Sequence, residues 1–83
     1  MSTSIVVYTS PQCGYCNKQK EWLAEQGVKY IERSTTDSEN RKELVRLNAI
    51  GVPFTIFSTN KEETYVTGFN KKKLESLIKE HVS

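Results

Sequence analysis

Histidine occurs once and cysteine twice in 83 residues, so side chains that bind soft metals are nearly absent. A zinc site needs four ligands, and beyond Cys13 and Cys16 the only other soft donor is His81, at the far end of the chain. No metal-ligating set is therefore assigned. A disulfide scaffold is disfavoured too, because no second pair of cysteines exists to build one. No apolar run approaches the roughly 20 residues that cross a bilayer as a helix, so no membrane role is expected. Excess charge of one sign is also missing. Lys and Arg number 12 against 10 Asp and Glu, a formal +2 that is too balanced to argue for nucleic acid. Met1-Ser2-Thr3-Ser4 lacks the basic segment and apolar core of a secretory leader, and free-thiol usage points to a reducing, cytoplasmic setting. The length suits one small domain over residues 1–83, expected to be a monomer.

What is present is concentrated in Cys13-Gly14-Tyr15-Cys16. The motif follows Ser4-Ile5-Val6-Val7-Tyr8-Thr9, which reads as a buried strand, and it opens a run with helical spacing. Two cysteines three apart on a first helical turn can place their Cα atoms roughly 5–6 Å apart, within disulfide range. So short a bridge restricts the unfolded chain little and would contribute only modestly as a staple. Buried, unreactive thiols would not ordinarily flank a glycine at a strand–helix junction. A dithiol that opens and closes is the better reading. Cys13 is the expected nucleophile, because the free N–H groups and positive dipole end of a helix start favour an anionic sulfur. Cys16, a turn deeper on the apolar face with Leu23, is the expected resolving thiol, and Tyr15 is expected to pack on Trp22 along the same stripe.

The rest alternates without linker or repeat. Ile5–Thr9 is strand one, and Pro11 ends it in the turn Ser10-Pro11-Gln12. A helix from about Cys13 to Gln26 is closed by Gly27 in a left-handed cap, with Val28 as the apolar contact beyond. Lys29–Arg33 alternates as strand two, and Thr36-Asp37-Ser38-Glu39 has the form of a capping box with Thr36 at the cap. The helix it opens carries Leu44, Val45 and Leu47 and ends near Asn48. Phe54–Phe57 is strand three, Ser58–Lys61 a hairpin turn and Glu63–Thr67 strand four. Gly68 breaks that strand and Asn70 caps a last helix, in which Leu74, Leu77, Ile78, His81 and Val82 share one face. The expected fold is α/β, β-α-β-α-β-β-α, with a parallel pair from the first β-α-β unit and a four-stranded mixed sheet flanked by three helices.

Tyr8-Thr9-Ser10-Pro11-Gln12-Cys13-Gly14-Tyr15-Cys16, then Gly51-Val52-Pro53-Phe54, then Thr67-Gly68-Phe69, in that order and spacing, resemble the glutaredoxins of the thioredoxin superfamily. The resemblance spans nearly the whole chain. It implies a thioredoxin-like fold and thiol–disulfide exchange linked to glutathione as co-substrate, with no permanently bound cofactor. An arbitrary X–Pro bond is cis in only about 5–6% of cases, but the resemblance implies a cis Val52–Pro53 bond beside Cys13. Val52's backbone would then meet an extended peptide or glutathione. Gln12, Tyr15, Val52, Pro53, Gly68, Phe69, Asn70 and Lys71 become the expected substrate-binding residues. Lys71, Lys72 and Lys73 oppose the dipole of the last helix, and the functional expectation is that they attract glutathione's carboxylates or an acidic partner.

Three positions depart from the family pattern. Gly14 stands where proline is common, no lysine precedes Cys13, and Gly68-Phe69-Asn70 replaces a glycine pair followed by an acidic residue. The Gly-Phe turn is similar to the small glutaredoxin-like redoxins that serve ribonucleotide reductase and are recharged by thioredoxin reductase. Relatives with glycine at the motif proline can hold an iron–sulfur cluster between two chains. Glutathione-linked exchange leads; the other two stay open.

Overall fold

The structure, a computed structural model, describes residues 3–81, without the side chain of His81. Its elements are β1 (Ser4–Thr9), α1 (Gly14–Glu25), β2 (Ile31–Ser34), α2 (Ser38–Arg46), β3 (Phe54–Ser58), β4 (Glu63–Thr67) and α3 (Lys71–His81). The expected order is found. One sheet runs β2-β1-β3-β4, with β1 and β2 parallel and the other pairs antiparallel. A parallel pair needs a crossover, which α1 supplies, whereas β3 and β4 need only a tight turn, closed by Thr59 N–H to the Glu62 carbonyl at 2.9 Å.

Period-two alternation divides the core between the two faces of the sheet. Ile5 and Val7 of β1, Phe57 of β3 and Val66 of β4 join Trp22, Leu23, Val28, Leu74 and Leu77 under α1 and α3. Val6 and Tyr8 with Phe54 and Ile56 meet Leu44 and Leu47 of the α2 segment on the other face. Both faces are covered, which is why β1 reads as a near-continuous apolar run and β3 carries apolar residues on both faces. The expected apolar face of α3 is confirmed at Leu74 and Leu77, with Ile78 half-buried; Val82 and the side chain of His81 lie outside the described residues.

Helix ends follow local chemistry. Gly27 has φ +69°, and Gly27 N–H to Ala24 O (3.0 Å) with Val28 N–H to Leu23 O (3.2 Å) closes α1 in a Schellman motif. Asn48 closes α2 in the same way at φ 58°, with Ala49 N–H on the Leu44 carbonyl at 2.9 Å. Asn70 caps α3 as expected, its Oδ1 accepting from Lys73 N–H at 3.2 Å.

Two expectations shift. The cap of α2 is Asp37, whose carboxylate accepts from Glu39 N–H at 2.9 Å. Thr36 is drawn away because its N–H and hydroxyl both bond the Ser34 hydroxyl. Strand two covers Ile31–Ser34 in place of Lys29–Arg33, since it pairs with Val6–Thr9 of β1. It is an edge strand with Ile31 exposed, so the apparent alternation there did not report burial.

Candidate active site

The end of β1 delivers the chain to a turn in which Cys13 N–H bonds the Ser10 carbonyl at 3.2 Å. Thr9 is buried just before it, its hydroxyl donating to Glu32 Oε2 at 2.7 Å, and Lys20 pairs with the same oxygen at 2.9 Å. Lys20 first, then Thr9, hold the Glu32 carboxyl below the usual carboxylate range. This anchors the C-terminal end of β1 to β2.

Cys13 is the N-cap of α1, with extended backbone at φ −97° and ψ 110°. Its sulfur takes the place that a serine or aspartate oxygen usually fills and accepts the Cys16 N–H at 3.1 Å. The sulfur thus sits at the positive end of the helix. Gly14 is the first helical residue, and a Cβ built there meets no atom within 4 Å. Cys16, at 0% exposure, lies one turn deeper. Burial, then its hydrogen bond to Cys13, push the Cys16 thiol up to about 11, against a smaller opposing effect of the Ser10 backbone. Both cysteines are free thiols, one half-buried and one buried.

The second wall comes from the loop before β3. The Val52–Pro53 bond is cis, as the resemblance implied, and the Cys13 thiol donates to the Val52 carbonyl at 3.7 Å. Pro53 is buried. Its carbonyl accepts Gly68 N–H at 2.8 Å, which brings the turn after β4 against the same loop. Gly68 has φ +75°, a left-handed conformation that glycine adopts without a Cβ clash. Phe69 packs its ring 6.2 Å from that of Trp22 and joins the core. Hydrogen bonds therefore tie Cys13, Val52-Pro53 and Gly68 together in turn, although 55 positions separate the first from the last.

The remaining predicted residues are more peripheral. Gln12 is exposed in the turn before Cys13, and Lys71 and Lys72 are exposed at the start of α3. Lys73 is engaged, its ammonium donating to the Tyr65 carbonyl at 3.2 Å. Tyr15 does not pack on Trp22. It is 66% exposed with the Lys18 ammonium 5.5 Å from its ring centre, and Gly14, Tyr15 and Lys18 line a shallow pocket of about 270 Å³. Phe69 has taken the place beside Trp22. A larger groove of about 410 Å³ lies beside α2, lined by Arg33, Glu39, Glu43 and Glu63, and includes neither cysteine. Among the described residues no group of three or more His, Cys, Asp or Glu side chains could hold a metal ion.

Sequence reasoning passed over Ser10, whose backbone braces the motif, and the buried pair Gln19 and Thr55. Gln19 Nε2 donates to Thr55 Oγ1 at 2.5 Å, and Gln19 Oε1 has no partner. A buried polar atom left this way costs about 1–3 kcal/mol. The signal was a glutamine within the apolar stripe of α1.

A glutaredoxin family model matches residues 5–62. The chain is 29% identical over 76 residues to an uncharacterized glutaredoxin-like 8.6 kDa protein in the rubredoxin operon of Clostridium pasteurianum, covering 89% of this chain and 96% of that one. The solved thioredoxin-like protein BC3987 superposes with a TM-score of 0.76 at 32% identity, over 89% of this chain and 99% of that structure. Oxidized thioredoxin O1 from Arabidopsis thaliana gives a TM-score of 0.80 over 94% of this chain and 76% of its own, at 20% identity, a likeness of fold alone. A family match of that extent, on a chain of this architecture, places the protein among the glutaredoxins, thiol-redox proteins of the thioredoxin fold.

Proposed function

We propose that this protein is a cytoplasmic dithiol glutaredoxin that uses Cys13 and Cys16 to reduce protein disulfides or glutathione mixed disulfides, with glutathione as its reductant. The observation that supports this best is the setting of the Cys13 sulfur, between the Cys16 N–H at 3.1 Å and the Val52 carbonyl at 3.7 Å, above a buried second thiol.

Once Cys13 loses its proton, its sulfur attacks one sulfur of the substrate disulfide. That S–S bond breaks, the other substrate sulfur leaves as a thiolate and is protonated, and a mixed disulfide remains on Cys13. Losing the Cys13 S–H also frees the Val52 carbonyl, which can then accept an N–H from an extended peptide or from glutathione. Cys16 next gives up its proton and attacks Cys13, releasing the second substrate thiol and leaving a Cys13–Cys16 disulfide. Two glutathiones restore the dithiol, the first forming a mixed disulfide on Cys13 and the second leaving with it as oxidised glutathione. The turn Gly68-Phe69-Asn70, with Lys71 and Lys72 exposed beside it, is the place for glutathione's carboxylates, and Tyr15 and Gln12 line the approach.

A second reading, a redoxin recharged by thioredoxin reductase and serving an enzyme such as ribonucleotide reductase, draws on Phe69. Its ring packs into the core beside Trp22, where the usual turn carries small and acidic residues. The deciding experiment offers the oxidised protein NADPH with glutathione and glutathione reductase, and in parallel NADPH with thioredoxin reductase. Recovery of both thiols in the first arm is expected. Recovery in the second arm alone would replace glutathione as the donor, and recovery in neither, with Cys13→Ser as active as the parent on a model disulfide, would overturn the exchange mechanism.

A further inference from the structure

The exchange steps leave one buried polar group of α1 without a task. Gln19 is 0% exposed, as are Cys16 and Thr55. Cys16 and Gln19 stand at i and i+3, neighbours on one face of the helix. A leucine would fill that space with no unpaired oxygen, yet the chain keeps an amide with its Nε2 on Thr55 and its Oε1 unsatisfied. A buried polar pair that breaks the rule of complete satisfaction invites a search for function.

Two side-chain hydrogen bonds join α1 and its cap to the segment that carries the cis proline and β3. One is Cys13 Sγ–H to the Val52 carbonyl, and the other is Gln19 Nε2–H to Thr55 Oγ1. The first depends on the thiol proton, so it is gone as soon as Cys13 is a thiolate or part of a disulfide. The second involves no reacting atom, so exchange at the thiols removes neither its donor nor its acceptor.

We propose that Gln19 is a positioning residue for the resolving step: its bond to Thr55 holds the Cys16 turn of α1 against β3 after the Cys13–Val52 contact is lost, keeping Cys16 in line with the Cys13 mixed disulfide. The inference rests on the exchange mechanism proposed above. In the step concerned, the Cys16 sulfur attacks Cys13 Sγ and the Cys13–substrate bond breaks. The substrate sulfur takes the bonding pair and the proton that Cys16 gave up, so the substrate is reduced and the cysteine pair oxidised. Gln19 touches none of these atoms. It sets the distance and angle of attack, on which rates depend steeply.

The test uses the reduced protein and an aromatic disulfide whose thiolate is coloured, mixed in a stopped-flow instrument. Attack by Cys13 releases a first thiolate at a rate proportional to reagent concentration. Attack by Cys16 releases a second at a rate independent of it. In Thr55→Val, and in Gln19→Leu combined with Thr55→Val, the second phase should slow about fivefold, the rate equivalent of one neutral hydrogen bond. The first phase should be unchanged, and Thr55→Ser, which keeps the hydroxyl, should resolve like the parent. The double variant, with both polar partners removed together, should melt no lower than the parent. An unchanged second phase, or equal slowing of both phases with a lowered melting temperature, would overturn the proposal. If the double variant does not fold, the contrast between Thr55→Val and Thr55→Ser decides alone. A parent with no first phase would instead refute the exchange mechanism itself.

Discussion

Cys16 should couple the stability of the reduced protein to pH in a window that its thiol alone defines. Its ordinary value of 9.0 is raised to about 11 in the folded protein, first by burial and then by the hydrogen bond to Cys13. A raised folded value means that the folded state holds the proton when the unfolded chain has released it. The contribution to stability is therefore complete below about pH 9 and is lost as pH climbs toward 11, where both states are ionised. Two pH units at about 1.36 kcal/mol each give about 2.7 kcal/mol. Tyr8, raised by burial, and Lys20, raised by its hydrogen bond to Glu32, also titrate on the alkaline side, so the parent's own curve would mix several groups. Comparison with Cys16→Ala isolates the thiol. Urea unfolding of both proteins, fully reduced, should show the parent's advantage near neutral pH shrinking by about 2.7 kcal/mol by pH 11. In a Cys13→Ala background the decline should still begin near pH 9 but be smaller and finish at lower pH, because the second cause is gone while burial, the largest, remains. A gap between parent and Cys16→Ala that stays constant up to pH 11 would refute the reasoning.

Gly14→Ala should stabilise the reduced protein by about 0.4–1 kcal/mol in urea unfolding, because the unfolded chain loses freedom. The new Cβ meets no atom within 4 Å, so a destabilised variant would show that the glycine's backbone freedom is needed. Lys71→Gln with Lys72→Gln should raise the apparent KM for glutathione about fivefold at low ionic strength, from exposed pairs worth about 0.5 kcal/mol each. The effect should fade in high salt. Lys73 is left intact because Tyr65 already engages its ammonium. An unchanged KM at low salt would leave those two lysines as a solvated face.

Much of the fold was legible because each element carries its own local signal. Apolar runs marked β1 and β3, and Gly27 announced the end of α1 through the one conformation it adopts without strain. Legibility failed where two neighbours could serve equally. Thr36 and Asp37 are both good caps, and the choice between them was made by the Ser34 hydroxyl, a partner that the capping pattern does not include. Strand two failed for a related reason, since an edge strand's span is set by the neighbour it pairs with rather than by its own side chains.

The site divides along the same line. The N–H that holds the Cys13 sulfur comes from Cys16, three residues on, so helix geometry alone places it. The carbonyl on the other side comes from Val52, 39 residues away, and no periodicity in either segment points to the other. Only resemblance to the family joined them. Gln19 shows a middle case. At about 100° per residue it falls roughly 60° from Cys16, between Leu23 at about 20° and Trp22 at about 120°, inside the apolar stripe. A polar residue in that position must find a buried partner or go unpaired. Its own sequence neighbourhood thus announces a long-range hydrogen bond without saying to what, and the fold supplies Thr55 for the amide nitrogen and nothing for the oxygen. Departures from a pattern therefore carried site information that the pattern itself lacked.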